Sequence, residues 1–212
     1  MARLAALLEL IRDDPAAPTT VREPAAGVHA HIADSLTALA AVPELRAARL
    51  IVDLGAGAGF PGLPLALAIP SARVILLDSV SRKCAFLRLA AEAAGAANAE
   101  VVCARVEEWP ARDADAVCAR AVAPLAVLVE YAAPVLRIGG VLVAWKGAPD
   151  PAEERAGEKA AAAVGLEARE GVAVAPFPGA DHRTLYVYSK VRETPPRFPR
   201  RPGMARKRPL AP

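Results

Sequence analysis

Little in this chain of 212 residues is set up for metal or disulfide chemistry. Its three histidines, His29, His31 and His182, lie too far apart in sequence to form a ligand cluster. Its three cysteines, Cys84, Cys103 and Cys118, form no CxxC pair and an odd total. Buried, reduced thiols and no metal are the expectation. The apolar runs are broken by charge or proline well short of membrane-spanning length, and the N-terminus lacks the pattern of a secretory signal. A soluble, cytoplasmic protein with no membrane contact follows. Neither an internal repeat nor a second domain is visible, and no histidine–carboxylate pair stands out as an acid–base couple.

What the chain does have is apolar content and an uneven charge. With 54% hydrophobic residues it supports the core of one α/β domain with short extensions. The formal charge of +3 conceals a division. Residues 191–212 carry seven basic side chains against Glu193 alone, a net +6, and the remaining 190 residues hold 19 bases against 22 acids, a net −3.

The most informative stretch runs Ile51-Val-Asp53-Leu54-Gly55-Ala-Gly57-Ala-Gly59-Phe60-Pro61-Gly62, followed by Val74-Ile-Leu-Leu77-Asp78. Leu50 to Leu54 is apolar, too short for a helix and bounded by glycine, which suits an interior parallel strand. Gly55, Gly57 and Gly59 permit a sharp turn and let a ligand lie against bare amides. Asp78, ending the next strand, is placed to accept hydrogen bonds from a ribose diol. The turn also fits the dinucleotide fingerprint, so on its own it leaves a nicotinamide cofactor or a purely structural glycine turn open. Two details favour S-adenosylmethionine. Asp53 ends the first strand two positions before the first glycine, and phenylalanine and proline stand where a helix start would receive a pyrophosphate.

Helix and strand signals alternate through the rest, as in a doubly wound sheet. Short helices are expected at residues 2–11 and 30–41. A helix from Ser81, its expected N-cap, stops at Gly95. Strands are expected at 101–103, 116–120, 141–145, opened by Gly139-Gly140, and 185–189. Helices are expected at 125–136 and 152–164. The divisions are an N-terminal helical extension (1–45), the cofactor domain (46–191) and a basic Pro/Arg-rich tail (192–212). The tail has little apolar content to bury and is expected to be extended, or ordered only against a partner. Its bland reading is a solvated tail. Its sharper one is an RNA clamp, with Arg197, Arg200, Arg201, Lys207 and Arg208 on phosphates and Phe198 stacked on a base.

In such a fold ligands bind beyond the carboxyl ends of the strands. Val106 and Glu107 follow the third strand, where an adenine would rest on the valine and meet the glutamate. Arg120, closing the fourth strand, could pair with Asp53, hold the cofactor's carboxylate, meet an RNA phosphate or form a structural ion pair. Lys146 reads equally as an RNA contact or a surface charge. His31 reads as a buried hydrogen-bonding residue.

These blocks resemble the small-subunit ribosomal RNA methyltransferase G family, also called glucose-inhibited division protein B. The resemblance covers roughly residues 20–210. It is carried by Val21-Arg-Glu-Pro, His31-Ile-Ala-Asp34-Ser35-Leu36, the glycine turn, Leu77-Asp78-Ser79, Lys83 with Phe86-Leu87, Arg105-Val-Glu-Glu108, Ala119-Arg-Ala121, Lys146-Gly147 and Phe198-Pro-Arg-Arg-Pro-Gly203. Trp145 departs from the family, which more often has a smaller aliphatic residue there. The resemblance implies a Rossmann-like methyltransferase fold with a mostly parallel seven-stranded sheet and helices on both faces. It implies N7 methylation of one guanine in the 530 loop of 16S ribosomal RNA by a monomer using S-adenosylmethionine. Carried over by position, the cofactor contacts would be Gly55, Phe60, Val106, Glu107 and Arg120, with Gly57, Gly59 and Asp78 completing the turn. His31, Asp34 and Ser35 would stand where the RNA enters, with Lys146 as a further contact. No residue need act as a catalytic base, because guanine N7 already exposes a lone pair.

Overall fold

The computed structural model describes residues 2–110 and 113–211. The chain opens with α1 (Ala2–Asp13), then a helical stretch made of α2 (Pro24–Gly27), a π-helical turn (Val28–Ala33), α3 (Asp34–Leu36), α4 (Ala38–Ala41) and α5 (Glu44–Ala47). The α/β alternation follows: β1 (Leu50–Leu54), α6 (Gly62–Ala68), β2 (Arg73–Asp78), α7 (Ser81–Ala93), β3 (Ala99–Cys103), β4 (Ala114–Arg120), α8 (Leu125–Ala132), β5 (Leu136–Lys146), α9 (Pro151–Val164), β6 (Leu166–Ala168), β7 (Val172–Val174) and β8 (Arg183–Lys190). A last short helix, α10 (Met204–Lys207), lies in the C-terminal segment.

The sheet order is β3-β2-β1-β4-β5-β8-β6, with β7 also paired to β8. The strands from β3 across to β5 are parallel, and β8 runs antiparallel to β5. β1 is central, and alternate side chains feed two cores. Ile51 joins the one under α1, α6 and α7, and Val52 and Leu54 the one under α8 and α9. The end of β1, where the glycine turn begins, therefore opens at the middle of the sheet's carboxyl edge.

Several expectations are corrected. The sheet has eight strands rather than seven, because its outer edge is broken in two. β6 pairs with residues 188–190 of β8 and β7 with residues 183–185, and each piece is only three residues long. At Gly171, between them, a Cβ would press on Thr184 and Tyr186 at 3.2 Å. Gly139-Gly140 lies inside β5 rather than opening it, and Gly140 lets β5 approach β4, since a Cβ there would lie 2.8 Å from the Ala114 carbonyl. α8 ends at Ala132, ahead of Pro134. Ser81 is the first residue of α7 rather than its cap; Val80 precedes the helix, and its N–H donates to Asp78 Oδ1 at 3.0 Å. Cys84 and Cys118 are buried as expected, but Cys103 is exposed at the end of β3.

The basic tail is the largest correction. Phe198 is 5% exposed and packs into the α8/α9 core, so it is not available to stack on a base. Arg200 forks onto Glu130 of α8, itself 2% exposed, with hydrogen bonds of 2.6 and 2.5 Å. A buried carboxylate requires such a partner. From these anchors the segment turns back across the carboxyl edge of the sheet, and Ala205 and Ala211 are buried again.

Candidate functional site

The turn after β1 is held by its neighbour. The N–H groups of Gly55 and Ala56 both donate to the Leu77 carbonyl, at 2.8 and 3.1 Å. Gly55, Gly57 and Gly59 have φ of +72°, +57° and +95°, values that a side chain disfavours. Asp78 Oδ2 accepts the Gly57 N–H at 3.1 Å and lies 3.9 Å from Lys83 Nζ. The carboxylate is thus fixed before any ligand arrives. Beside it opens a cavity of about 330 Å³, walled by Leu54, Leu77 and Val106, with Gly55, Asp78 and Glu107 as polar contacts.

Asp53 lies beneath the turn and is fully buried. Its Oδ2 accepts the Gly62 N–H at 2.7 Å, a contact that depends on glycine, because a Cβ at position 62 would lie 2.6 Å from that oxygen. Its Oδ1 has no hydrogen-bond partner among the described residues. Burial pushes its carboxyl up to about 7, although the Gly62 N–H and the charge of Arg120 pull the other way. A fixed carboxylate for a diol, apolar walls for a purine and a buried acid under the turn with one oxygen left over fit a cationic adenosyl group such as S-adenosylmethionine.

The expected site residues divide into those on the cavity and those beside it. Gly55, Asp78, Val106 and Glu107 line it, whereas Gly57 and Gly59 shape the turn. Phe60 and Arg120 lie outside it, in a network with the N-terminal helices. The Phe60 ring is 4% exposed and stacks on His31 with centroids 4.4 Å apart. The Arg120 guanidinium sits 5.4 Å from the same ring. It donates to the Ala30 carbonyl and to Asp34 Oδ2, both at 2.9 Å. Arg120 therefore takes the structural ion pair, with Asp34 rather than Asp53. Trp145, the residue that departs from the family, donates from Nε1 to the Asp34 carbonyl at 2.9 Å and completes this clamp.

Two expected RNA contacts are corrected by the same network. His31 is 5% exposed, with Nε2 between Thr19 Oγ1 and the Val21 carbonyl, and burial lowers its pKa. Ser35 is wholly buried and donates to the His31 carbonyl. His31 fastens the helical segment to the glycine turn through Phe60, Ser35 braces that segment from within, and neither is open to a polynucleotide. Arg200 is corrected too, being spent on Glu130. Arg197, Arg201, Lys207 and Arg208 are exposed.

The C-terminal segment reaches the cavity from the other side. Gly203 and Arg206 line it. The Gly203 N–H donates to Glu107 Oε1 at 2.9 Å, and Arg206 donates to the Val122 carbonyl at 2.9 Å. Val122 also lines a second, larger cavity of about 710 Å³ that carries Lys146 on its wall. Lys146 is not a free surface charge: it pairs with Glu153 Oε1 at 2.5 Å and donates to the Ala123 carbonyl at 3.2 Å. Between Arg120 and Val122, Ala121 adopts φ +55°, an unusual value for a residue with a side chain.

Sequence reasoning missed Val122, Gly203, Arg206, Glu153 and Glu130, the partner of Arg200. Only one of the missed contacts left a trace. A single acid in the otherwise apolar Leu125-Ala-Val-Leu-Val-Glu130-Tyr-Ala132 calls for a buried cation, and the nearby tail is the richest source of one.

A family model described as rRNA small subunit methyltransferase G matches residues 16–175. A ribosomal RNA small subunit methyltransferase G from Rubrobacter xylanophilus is 44% identical over 198 residues, which is 89% of this chain and 75% of the relative. Among solved structures, a predicted O-methyltransferase from Agrobacterium tumefaciens aligns with TM-score 0.57 and 27% identity, covering 75% of this chain and 79% of the other. A 16S rRNA (adenine(1408)-N(1))-methyltransferase from Catenulisporales acidiphilia, solved with its cosubstrate SAM, aligns with TM-score 0.55 and 21% identity over 72% of this chain and 91% of the other, a likeness of fold.

Proposed function

The chain belongs to the rRNA small subunit methyltransferase G family, and from that membership we infer that it transfers the methyl group of S-adenosylmethionine to N7 of one guanine in the 530 loop of 16S ribosomal RNA. The observation that carries this reading is the pair of cavities that share Val122 in their walls, one suited to an adenosyl group and one beyond the ends of β4 and β5.

The cofactor, when bound, supplies an electrophilic sulfonium methyl. Asp78 is oriented by the Gly57 and Val80 N–H groups to accept from the ribose hydroxyls. Leu54, Leu77 and Val106 give the adenine an apolar bed, and Glu107 stands at its edge. Asp53, with no partner at Oδ1 among the described residues, is pushed towards its neutral form by burial, and a cation bound near the turn would favour its carboxylate. The nucleophile needs no deprotonation, so the chain's contribution is alignment, which can be worth several kcal/mol. Guanine N7 lies in the deep groove of A-form RNA, which side chains cannot enter, so the target must be presented unpaired. The exposed Arg197, Arg201, Lys207 and Arg208 are suited to the flanking phosphates.

We place the enzyme in the cytoplasm as a monomer. Among the described residues no helix is long and apolar enough to cross a membrane. The large exposed apolar side chains, such as Val28, Leu89, Ile138 and Val191, are dispersed along the chain.

The test is transfer of labelled methyl to naked 16S RNA and to small subunits, with the modified base mapped by borohydride/aniline cleavage. Cleavage at one guanine of the 530 loop is expected. Cofactor binding without RNA labelling would refute the assignment.

A further inference from the structure

Both purines carry an N7 lone pair, so the reaction itself does not choose guanine over adenine. The choice has to be made on another edge of the base. When N7 points at the cofactor, the Watson–Crick edge points away from it, towards the far wall of the second cavity. That cavity has an apolar floor of Ala123, Pro124 and Ala126, and its charged side chains among the described residues are Lys146, Asp150 and Glu153.

Asp150 is engaged at the start of α9, where its Oδ1 accepts the N–H groups of Ala152 and Glu153. Lys146 and Glu153 are tied to the segment that follows Val122. Lys146 donates to the Ala123 carbonyl, and Glu153 Oε1 accepts the Leu125 N–H at 2.8 Å. Three residues of extended chain span at most about 10 Å, so the pair lies within that distance of Val122, the residue common to the two cavities. Both contacts to Glu153 fall on Oε1, and Oε2 carries no hydrogen bond among the described residues.

We propose that the Lys146–Glu153 pair is the guanine reader of this enzyme: Glu153 accepts N1–H and the 2-amino group of the target base while Lys146 donates to O6. The inference rests on the methyltransferase reading above. Guanine offers acceptor, donor, donor along this edge, and an ammonium beside a carboxylate offers donor, acceptor, acceptor. Adenine opposes the pair twice, with a 6-amino group facing Lys146 and the N1 lone pair facing Glu153. A site of this kind rejects the wrong base through the polar groups it leaves unpaired. Lys146 also keeps Glu153 paired while the cavity is empty. Glu153 and Lys146 touch the base away from the reacting atoms and set specificity, not chemistry.

The experiment uses small subunits reconstituted with 16S RNA carrying guanosine, inosine or adenosine at the methylated position. Inosine keeps O6 and N1–H and lacks the 2-amino group. The wild-type enzyme is expected to lose about 10- to 100-fold in kcat/KM on inosine and to leave adenosine unmodified. Glu153→Gln is expected to bind S-adenosylmethionine as the wild type does in calorimetry, to lose activity on guanosine, and to bring the guanosine-to-inosine ratio close to one. Any change that the missing amino group makes to the RNA itself is common to both enzymes and leaves that comparison intact. Equal wild-type rates on guanosine and inosine, or a ratio unchanged in Glu153→Gln, would overturn the proposal while leaving the activity standing. Absence of transfer to guanosine by the wild type would overturn both.

Discussion

The two ends of the chain converge on the same edge of the sheet and are fastened there in different ways. The N-terminal helical stretch is held from inside, by the His31–Phe60 stack, the Asp34–Arg120 pair and the Trp145 hydrogen bond, all with buried or half-buried partners. The C-terminal segment has two deep anchors, Phe198 and the Arg200–Glu130 pair. Beyond them it touches the site through two more open contacts, Gly203 to Glu107 and Arg206 to Val122. The first end is part of the scaffold. The second is a strap: Ala205 and Ala211 are buried beyond the anchors, and its contacts to the site are the more exposed ones. Glu107 lines the first cavity and accepts the Gly203 N–H, so on the proposed reading the strap and the cofactor would share a residue.

Cutting the inner fastening should have the largest effect. Asp34→Ala leaves the Arg120 guanidinium, only 18% exposed, without its carboxylate. The expected loss is about 3 kcal/mol in urea unfolding. A loss too small to measure would mean that this end is held no better than the other. Phe198→Ala should cost less than the roughly 3 kcal/mol typical of a core phenylalanine, because the strap can detach instead of leaving a void. Its sharper signature would be tryptic cleavage after Arg200, since Pro202 protects the bond after Arg201, together with weaker S-adenosylmethionine binding. Unchanged proteolysis would show that Arg200–Glu130 suffices as an anchor. The smallest effect is on pH dependence. His31 is held below its ordinary pKa of 6.5 by burial. Its contribution to stability is therefore full above pH 6.5 and declines as the pH falls below it, when the unfolded chain takes up a proton that the folded one resists. His31→Gln should flatten that part of the stability profile.

The contrast also explains what could be read from the chain. The glycine turn, β1, β2 and Asp78 are neighbours in sequence, and their spacing carries their geometry. Their placement on one cavity follows from short-range rules. Phe60 and Arg120 have the right positions but face the N-terminal helices, because a stacking imidazole and a buried carboxylate reach them from 29 and 86 residues away. That distance leaves no periodicity to detect. The tail was legible as charge but not as structure, since its composition resembles that of a disordered segment. What orders it is one phenylalanine and one arginine, matched to a core and a glutamate elsewhere. The split edge of the sheet was invisible for a simpler reason: two strands of three residues carry no pattern.

The Trp145–Asp34 hydrogen bond joins residues 111 positions apart. On a ribosome adding roughly 5–20 residues per second, the segment around Ser35 therefore waits at least several seconds for β4 and β5 to be synthesised. Through that interval Asp34 lacks both Arg120 and Trp145, the partners that fasten it. The fastening that makes the N-terminal end the more secure in the finished protein is thus among the last to close as the chain is made.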